Sequence, residues 1–240
     1  MNKKTSTKDL VLPSNERLKI SNLSDFKPKN ILNFKPKNIK IFSFNAGFKK
    51  KSKDLLILVF DKLVNVHCIY SLTSTPSAPI IWDKKYNKGM CKALIVNSGN
   101  ANAHTGKKGI TTINQYVSAL TRKIKCKKEE ILVSSTGIIG EVFNPNLIIN
   151  SIKKIDQLKS TDLIDAAKSI MTTDTFPKTY IKNVKIGKDL VKIYGFAKGS
   201  GMIQPNMGTM LVYIFIEASI SKSYLKKLIN INIENSFNSI

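Results

Sequence analysis

The stretch "CKALIVNSGNANAHTG", Cys91 to Gly106, runs from an apolar core segment straight into a loop of Asn, Ser, Gly and Ala. Ala93 to Val96 reads as a buried strand, because a short continuous apolar run bounded by turn-forming residues suits a strand covered on both faces. Downstream, Ile113, Val117, Leu120 and Ile124 recur at helical spacing, so an amphipathic helix is expected from Thr111 to about Lys127. A buried strand, a small-residue loop and an amphipathic helix in succession place the chain among mixed α and β folds.

Working outward, "DLLILVFD" and "VNVHCIYS" (54–61 and 64–71) read as two strands joined by a turn around Asp61 and Lys62. "ILVSSTGIIG" (131–140) is a strand ending in a glycine turn, and "LIINSIKKI" and "LIDAAKSIM" are helix candidates. "TYIKNVKIG", "VKIYGFAKG" and "TMLVYIFIEA" are β-rich, and "KSYLKKLIN" starts a late helix. Residues 1–39 are lysine-rich and repeat "FKPKN" at Phe26 to Asn30 and Phe34 to Asn38; they form a basic, loosely held lead-in, with the fold starting near Ile39.

The chain has 240 residues and a net charge of +23, but its positive charge is almost all lysine, scattered through every segment, with arginine only at Arg17 and Arg122. A dispersed lysine coat argues against a nucleic-acid partner, which calls for a basic patch or stripe. Cys68, Cys91 and Cys126 have no C-x-x-C spacing, and His67 and His104 are the sole histidines, so neither a disulfide framework nor a metal site is indicated. The longest apolar runs are too short to span a bilayer, and no N-terminal targeting pattern is visible; a soluble, cytoplasmic protein is expected.

Three loops rich in Gly, Ser, Thr and Asn follow strands: 97–106, 134–140 and 198–209. Small residues there let backbone N–H groups approach a ligand closely, as an oxyanion hole requires. Neither a Walker pattern nor a basic GXXG clamp is present, since Ile138 and Ile139 lie between Gly137 and Gly140. In the last loop a glycine-rich turn delivers Thr209 to the first position of the apolar strand "MLVYIFI", either as an ordinary β-branched residue or as a nucleophile.

"NSGNANAHTG" (97–106), "SSTGIIG" (134–140), "MTTDTFPK" (171–178) and "KGSGMIQPNMGTML" (198–211), in that order, resemble the ornithine acetyltransferase family, the bifunctional glutamate N-acetyltransferases of arginine biosynthesis. The resemblance implies an α/β (α+β type) fold, a layered α/β/β/α sandwich resembling N-terminal-nucleophile hydrolases. It also implies self-cleavage between Gly208 and Thr209, dividing the chain into an α-chain region, 40–208, and the start of a β chain, 209–240. The freed Thr209 would accept acetyl from N2-acetyl-L-ornithine and pass it to L-glutamate. Its new α-amino group, with an ordinary pKa of about 7.7–8.0, would take the hydroxyl proton.

Thr136 and Gly137 match the family's oxyanion pair, and Thr172 and Lys198 match substrate-binding positions, with Thr173 a rival to Thr172. No cofactor is implied, although acetyl-CoA is possible as a substrate, and the cleaved halves would assemble as a heterotetramer of two α and two β chains. Gly208, His104 and Gln204 depart from the family's usual alanine, cysteine and small residue. The chain stops at Ile240, before the family's downstream glutamate and C-terminal site residues, and so reads as C-terminally truncated. The alternatives are an inactive remnant or half of a split enzyme, a basic polyanion binder, or a related aminopeptidase or amidase that hands the acyl group to water.

Overall fold

The computed structural model describes residues 32–199 and 209–239. Two sheets organise the chain. The first holds β1 (Ile39–Phe44), β2 (Leu55–Asn65), β3 (Met90–Asn100) and β4 (Ile131–Ile138), in that order across the sheet. The β1–β2 and β2–β3 pairs are antiparallel and β3–β4 is parallel. The second holds β5 (Lys178–Ile186), β6 (Asp189–Lys198) and β7 (Leu211–Ile216), antiparallel throughout.

Strand alternation sorts the first sheet's side chains into two cores. Phe42, Phe44, Leu55, Ile57, Ala93, Ile95, Ile131 and Val133 face helices α1 (Ala78–Tyr86), α2 (Gly106–Ile124) and α3 (Asn146–Lys153), meeting Trp82, Ile113, Val117 and Ile148. The opposite rows, Ile39–Ile41, Leu56–Leu58, Leu94–Val96 and Leu132, meet α4 (Leu163–Ile170) and the inward residues of the second sheet, Tyr194, Phe196, Leu211, Tyr213 and Phe215. The layers therefore run helices, sheet, sheet, with α4 wedged between the sheets. After β7 comes α5 (Lys222–Ile233), none of whose residues is buried.

Several expectations need correction. β2 is one long strand, its pairing with β3 irregular between Val59 and Val64, so Asp61 and Lys62 pass through a bulge rather than a turn. The stretch after Asn65 is not a strand. The helix expected at Thr111 to Lys127 begins at Gly106 and ends at Ile124, where Lys125 adopts the left-handed conformation that terminates it. α1 was not foreseen. Residues 32–38, expected to be loosely held, are tied down: the Leu163 amide donates to Phe34 O, Asn33 Nδ2 donates to Asp162, and Phe34 packs edge-on against Tyr194 at 4.9 Å. The first "FKPKN" copy and residues 200–208, including Gln204 and Gly208, lie outside the described residues.

Candidate active site

The site lies where the inter-sheet rows run out of apolar residues. On the first sheet, Leu94–Val96 continues into Ser98 and Leu132 leads by alternation to Thr136; on the second, Tyr194–Phe196 continues into Lys198. Parallel pairing of β3 and β4 sets Ser98 beside Thr136 and Gly99 beside Gly137. A lysine on an inward row cannot snorkel to water, and Lys198 is 2% exposed. Its Nζ donates to Thr136 Oγ1 at 3.3 Å, and among the described residues it forms no ion pair. Burial lowers its proton affinity, Asp174 opposes that, and the nearby Lys178 adds to it.

An ammonium can only donate, so Thr136 Oγ1 is the acceptor in this contact and its own hydrogen is free to point at a third group. Thr136 is buried, whereas the adjacent Gly137 is exposed at the mouth, with φ +131°. A side chain at Gly137 would have its Cβ 2.3 Å from the Gly99 carbonyl carbon, so only glycine lets these backbones pass.

Opposite stands the turn after α4. Thr172 Oγ1 is buried and has no hydrogen-bond partner among the described residues, while the neighbouring Thr173 is exposed. The turn is organised by Asp174, whose carboxylate accepts from Lys178 Nζ at 2.6 Å, the Gly199 amide at 2.8 Å and the Thr172 amide at 3.2 Å. Burial disfavours its charge, but these three donors outweigh that and hold the carboxyl below its usual range. Asp174 thus links the Thr172 turn to the residue that follows Lys198.

Thr209 precedes the strand rather than opening it, because β7 begins at Leu211. The Lys198–Leu211 register nevertheless brings the chain entering β7 alongside the chain leaving β6, and Met210 Cγ lies 3.6 Å from where a Gly199 Cβ would stand. Thr136, Gly137, Lys198 and Thr172 are therefore gathered around one polar end of the inter-sheet layer, with the approach to Thr209 beside Lys198. Asn97, Asn100 and Asn102 serve the loop itself: Asn97 Nδ2 donates to Asn100 O, and Asn100 Oδ1 accepts from the Asn102 amide. His104 lines a separate surface pocket with Thr75 and Ile81. No group of three or more metal-ligating side chains occurs among the described residues.

Sequence reasoning missed Lys49. Its Nζ donates to Ser98 Oγ at 2.6 Å and to the Met171 carbonyl, directly behind the site. The sequence carries no signal for it, because the lysine is turned inward by the folded loop: Asp54 is fully buried and accepts the amides of Ala46, Gly47 and Lys49.

Two stacked sheets with helices on the outer face of the first, and a lysine, a threonine and a glycine turn at the end of the layer between them, define a chain whose fold resembles that of the N-terminal-nucleophile hydrolases. The chain belongs to the ArgJ family, whose model matches residues 40–240. Arginine biosynthesis bifunctional protein ArgJ of Bartonella henselae is 40% identical over 84% of this chain and 50% of its own length. The Bradyrhizobium diazoefficiens protein of the same name is 38% identical over 84% of this chain and 49% of its own. The chain therefore spans about half the length of the curated relatives it matches.

Among solved structures, the Bacillus halodurans bifunctional protein superimposes with a TM-score of 0.64 at 31% identity, covering 71% of this chain and 91% of that one. Ornithine acetyltransferase of Mycobacterium tuberculosis, crystallised with ornithine, shares the fold with a TM-score of 0.63 at 23% identity, covering 73% and 94%. By these shares the solved chains are shorter than this one.

Proposed function

We propose that the chain is the nucleophile-bearing part of an acetyltransferase of arginine biosynthesis, moving acetyl from N2-acetyl-L-ornithine to L-glutamate through an acetyl ester on Thr209. The observation that carries this reading is the buried Lys198 ammonium, which has Thr136 Oγ1 as its hydrogen-bond partner and no ion-pair partner among the described residues, while Asp174 ties the next residue, Gly199, to the Thr172 turn. Such a charge has been left for an anion to neutralise, and a substrate carboxylate suits it.

Cleavage between Gly208 and Thr209 frees the Thr209 α-amine. That amine takes the Thr209 Oγ proton as Oγ bonds to the acetyl carbonyl carbon. The Thr136 hydroxyl and the Gly137 amide stabilise the resulting oxyanion, one such donor being worth about a hundred- to a thousandfold in rate. The C–N bond to ornithine then breaks, and the proton held by the α-amine passes to the departing nitrogen. The glutamate amine attacks the ester in turn and restores the Thr209 hydroxyl. The acyl group travels on the threonine, so no bound cofactor is needed; acetyl-CoA would enter, if at all, as another acetyl donor. The cleaved halves would assemble as a two-α, two-β heterotetramer; the solved chains, shorter than this one, fit the cleavage.

The test is intact mass beside a Thr209→Ala control, alone and after co-expression with the C-terminal half of the Bartonella henselae relative. The expected result is a break between Gly208 and Thr209 only when threonine is present, followed by gain of one acetyl group on the fragment that begins at Thr209 with N2-acetylornithine and its loss on adding glutamate. An unbroken chain under both conditions would overturn the reading. Loss of the acetyl group to water without glutamate would indicate a hydrolase instead.

A further inference from the structure

We infer that Lys49 is a positioning residue that sets the spacing between the oxyanion turn at Thr136–Gly137 and the substrate turn at Thr172; this rests on the acyl-transfer reading of those residues. Lys49 belongs to the β1–β2 connection, whose course is dictated by Asp54. The Asp54 carboxylate accepts the Ala46 amide at 2.6 Å, the Lys49 amide at 2.8 Å and the Gly47 amide at 3.1 Å, so residues 46–49 wrap around one buried charge. The wrap presses Phe48 onto β3: a Cβ on Gly99 would stand 2.9 Å from Phe48 Cβ and 3.1 Å from its carbonyl oxygen. Gly99 in turn lies under Gly137. The connection therefore forms the back wall of the glycine turn.

From this wall the Lys49 ammonium reaches two other segments. It donates to Ser98 Oγ, one residue before Gly99, and to the carbonyl of Met171, one residue before Thr172. Ser98 Oγ donates to the Ser169 carbonyl at 2.6 Å, completing a clasp between β3 and the last turn of α4. Among the described residues its hydrogen bonds go to Ser98 and Met171 rather than to Thr136, Gly137 or Thr172, so it acts through the segments it ties. A misplacement of about 1 Å between reacting groups and their supports can cost on the order of a hundredfold in rate.

The test uses the full chain labelled for amide correlation spectra, comparing wild type, Lys49→Met and Lys49→Arg. Lys49→Met, similar in length but unable to donate, is expected to move the Gly99, Gly137, Thr172 and Asp174 amide signals. Lys49→Arg, which keeps the charge and two donors, is expected to return them toward wild type. Shifts confined to residues 46–54, or equal shifts in both variants, would overturn the proposal. Should Lys49→Met fail to fold, Lys49→Gln, which donates but carries no charge, decides between the same two patterns. With the co-expressed C-terminal half, Lys49→Met is expected to lower kcat about a hundredfold, with Lys49→Arg recovering most of the loss. A wild type that transfers no acetyl group would count against the acyl-transfer reading alone, because the amide pattern still decides whether Lys49 sets the spacing.

Discussion

The two sheets are built from similarly apolar strands but are covered differently. The first is closed on both faces, by α1, α2 and α3 on one side and by α4 and the second sheet on the other, and Leu55, Leu56, Ile57 and Leu58 are all 0% exposed. The second buries one face only. Its outer face carries Tyr180, Ile193, Val212 and Ile214, with Tyr180 62% and Ile214 58% exposed along a groove of about 430 Å³ that Phe176 and Phe237 also line. An antiparallel sheet with one wet face ordinarily alternates apolar and polar residues. Here the outer face is apolar along the groove, between lysines such as Lys178 and Lys182, and only the inner face is filled. Stability is thus lodged in the first sheet, and the polar site sits where the closed sheet meets the half-open one.

The largest expected effect breaks the comparison from the closed side. Ile57 is central in β2, paired with β1 and β3 and packed in the helix-side core. Ile57→Ala should cost about 2–5 kcal/mol, the transfer term plus the cavity left behind. At roughly 2–4 °C per kcal/mol for a chain of this size, Tm measured by circular dichroism should fall by about 4–20 °C. A fall of a degree or two would mean that the first sheet is not the seat of stability.

The closed sheet was also the legible one. Ala93–Val96 and Leu55–Phe60 announce themselves because burial on both faces leaves nothing but apolar residues, and the stripe at Ile113, Val117 and Leu120 follows from packing on one side. α1 hid because its buried residues are Ala78, Pro79, Trp82 and Asp83, an acid among them, so no apolar stripe marks the sequence. Asp83 is inward because its carboxylate accepts the Val133 amide at 3.1 Å. In the site, Thr136, Gly137 and Lys198 could be singled out from motif order. Lys49 could not, since "FKKKSK" has the composition of a solvated run, and only the folded loop around Asp54 turns one of its lysines inward.

A smaller effect, of opposite sign, is expected at the junction. The Lys198 ammonium is buried without an ion-pair partner among the described residues, its proton affinity lowered first by that burial. A lysine whose folded pKa lies below its unfolded value of 10.5 costs stability while it is charged in the fold. The cost is fully present below the folded pKa and disappears as pH rises from there through 10.5. Lys198→Met should therefore be more stable than wild type at pH 7, by about 1–4 kcal/mol if it behaves like other replacements of buried charges, and the gap should close at higher pH. Urea melts at pH 7 and pH 10 measure it. A less stable Lys198→Met at pH 7 would mean that the ammonium is satisfied in the fold and is not held ready for a ligand.

The smallest effect sharpens the comparison from the open side. Ile214 lies on β7, on the outer face. Ile214→Thr keeps the β-branch that suits a strand and removes little apolar surface from contact, so stability should change by no more than about 0.5 kcal/mol. Its visible consequence should be reduced self-association at high concentration, read by sedimentation velocity, because it interrupts an exposed apolar patch. A loss above 1 kcal/mol could not come from exposed surface. It would mean that Ile214 is covered in solution, and that the second sheet, like the first, is closed on both faces by polypeptide packed onto the groove.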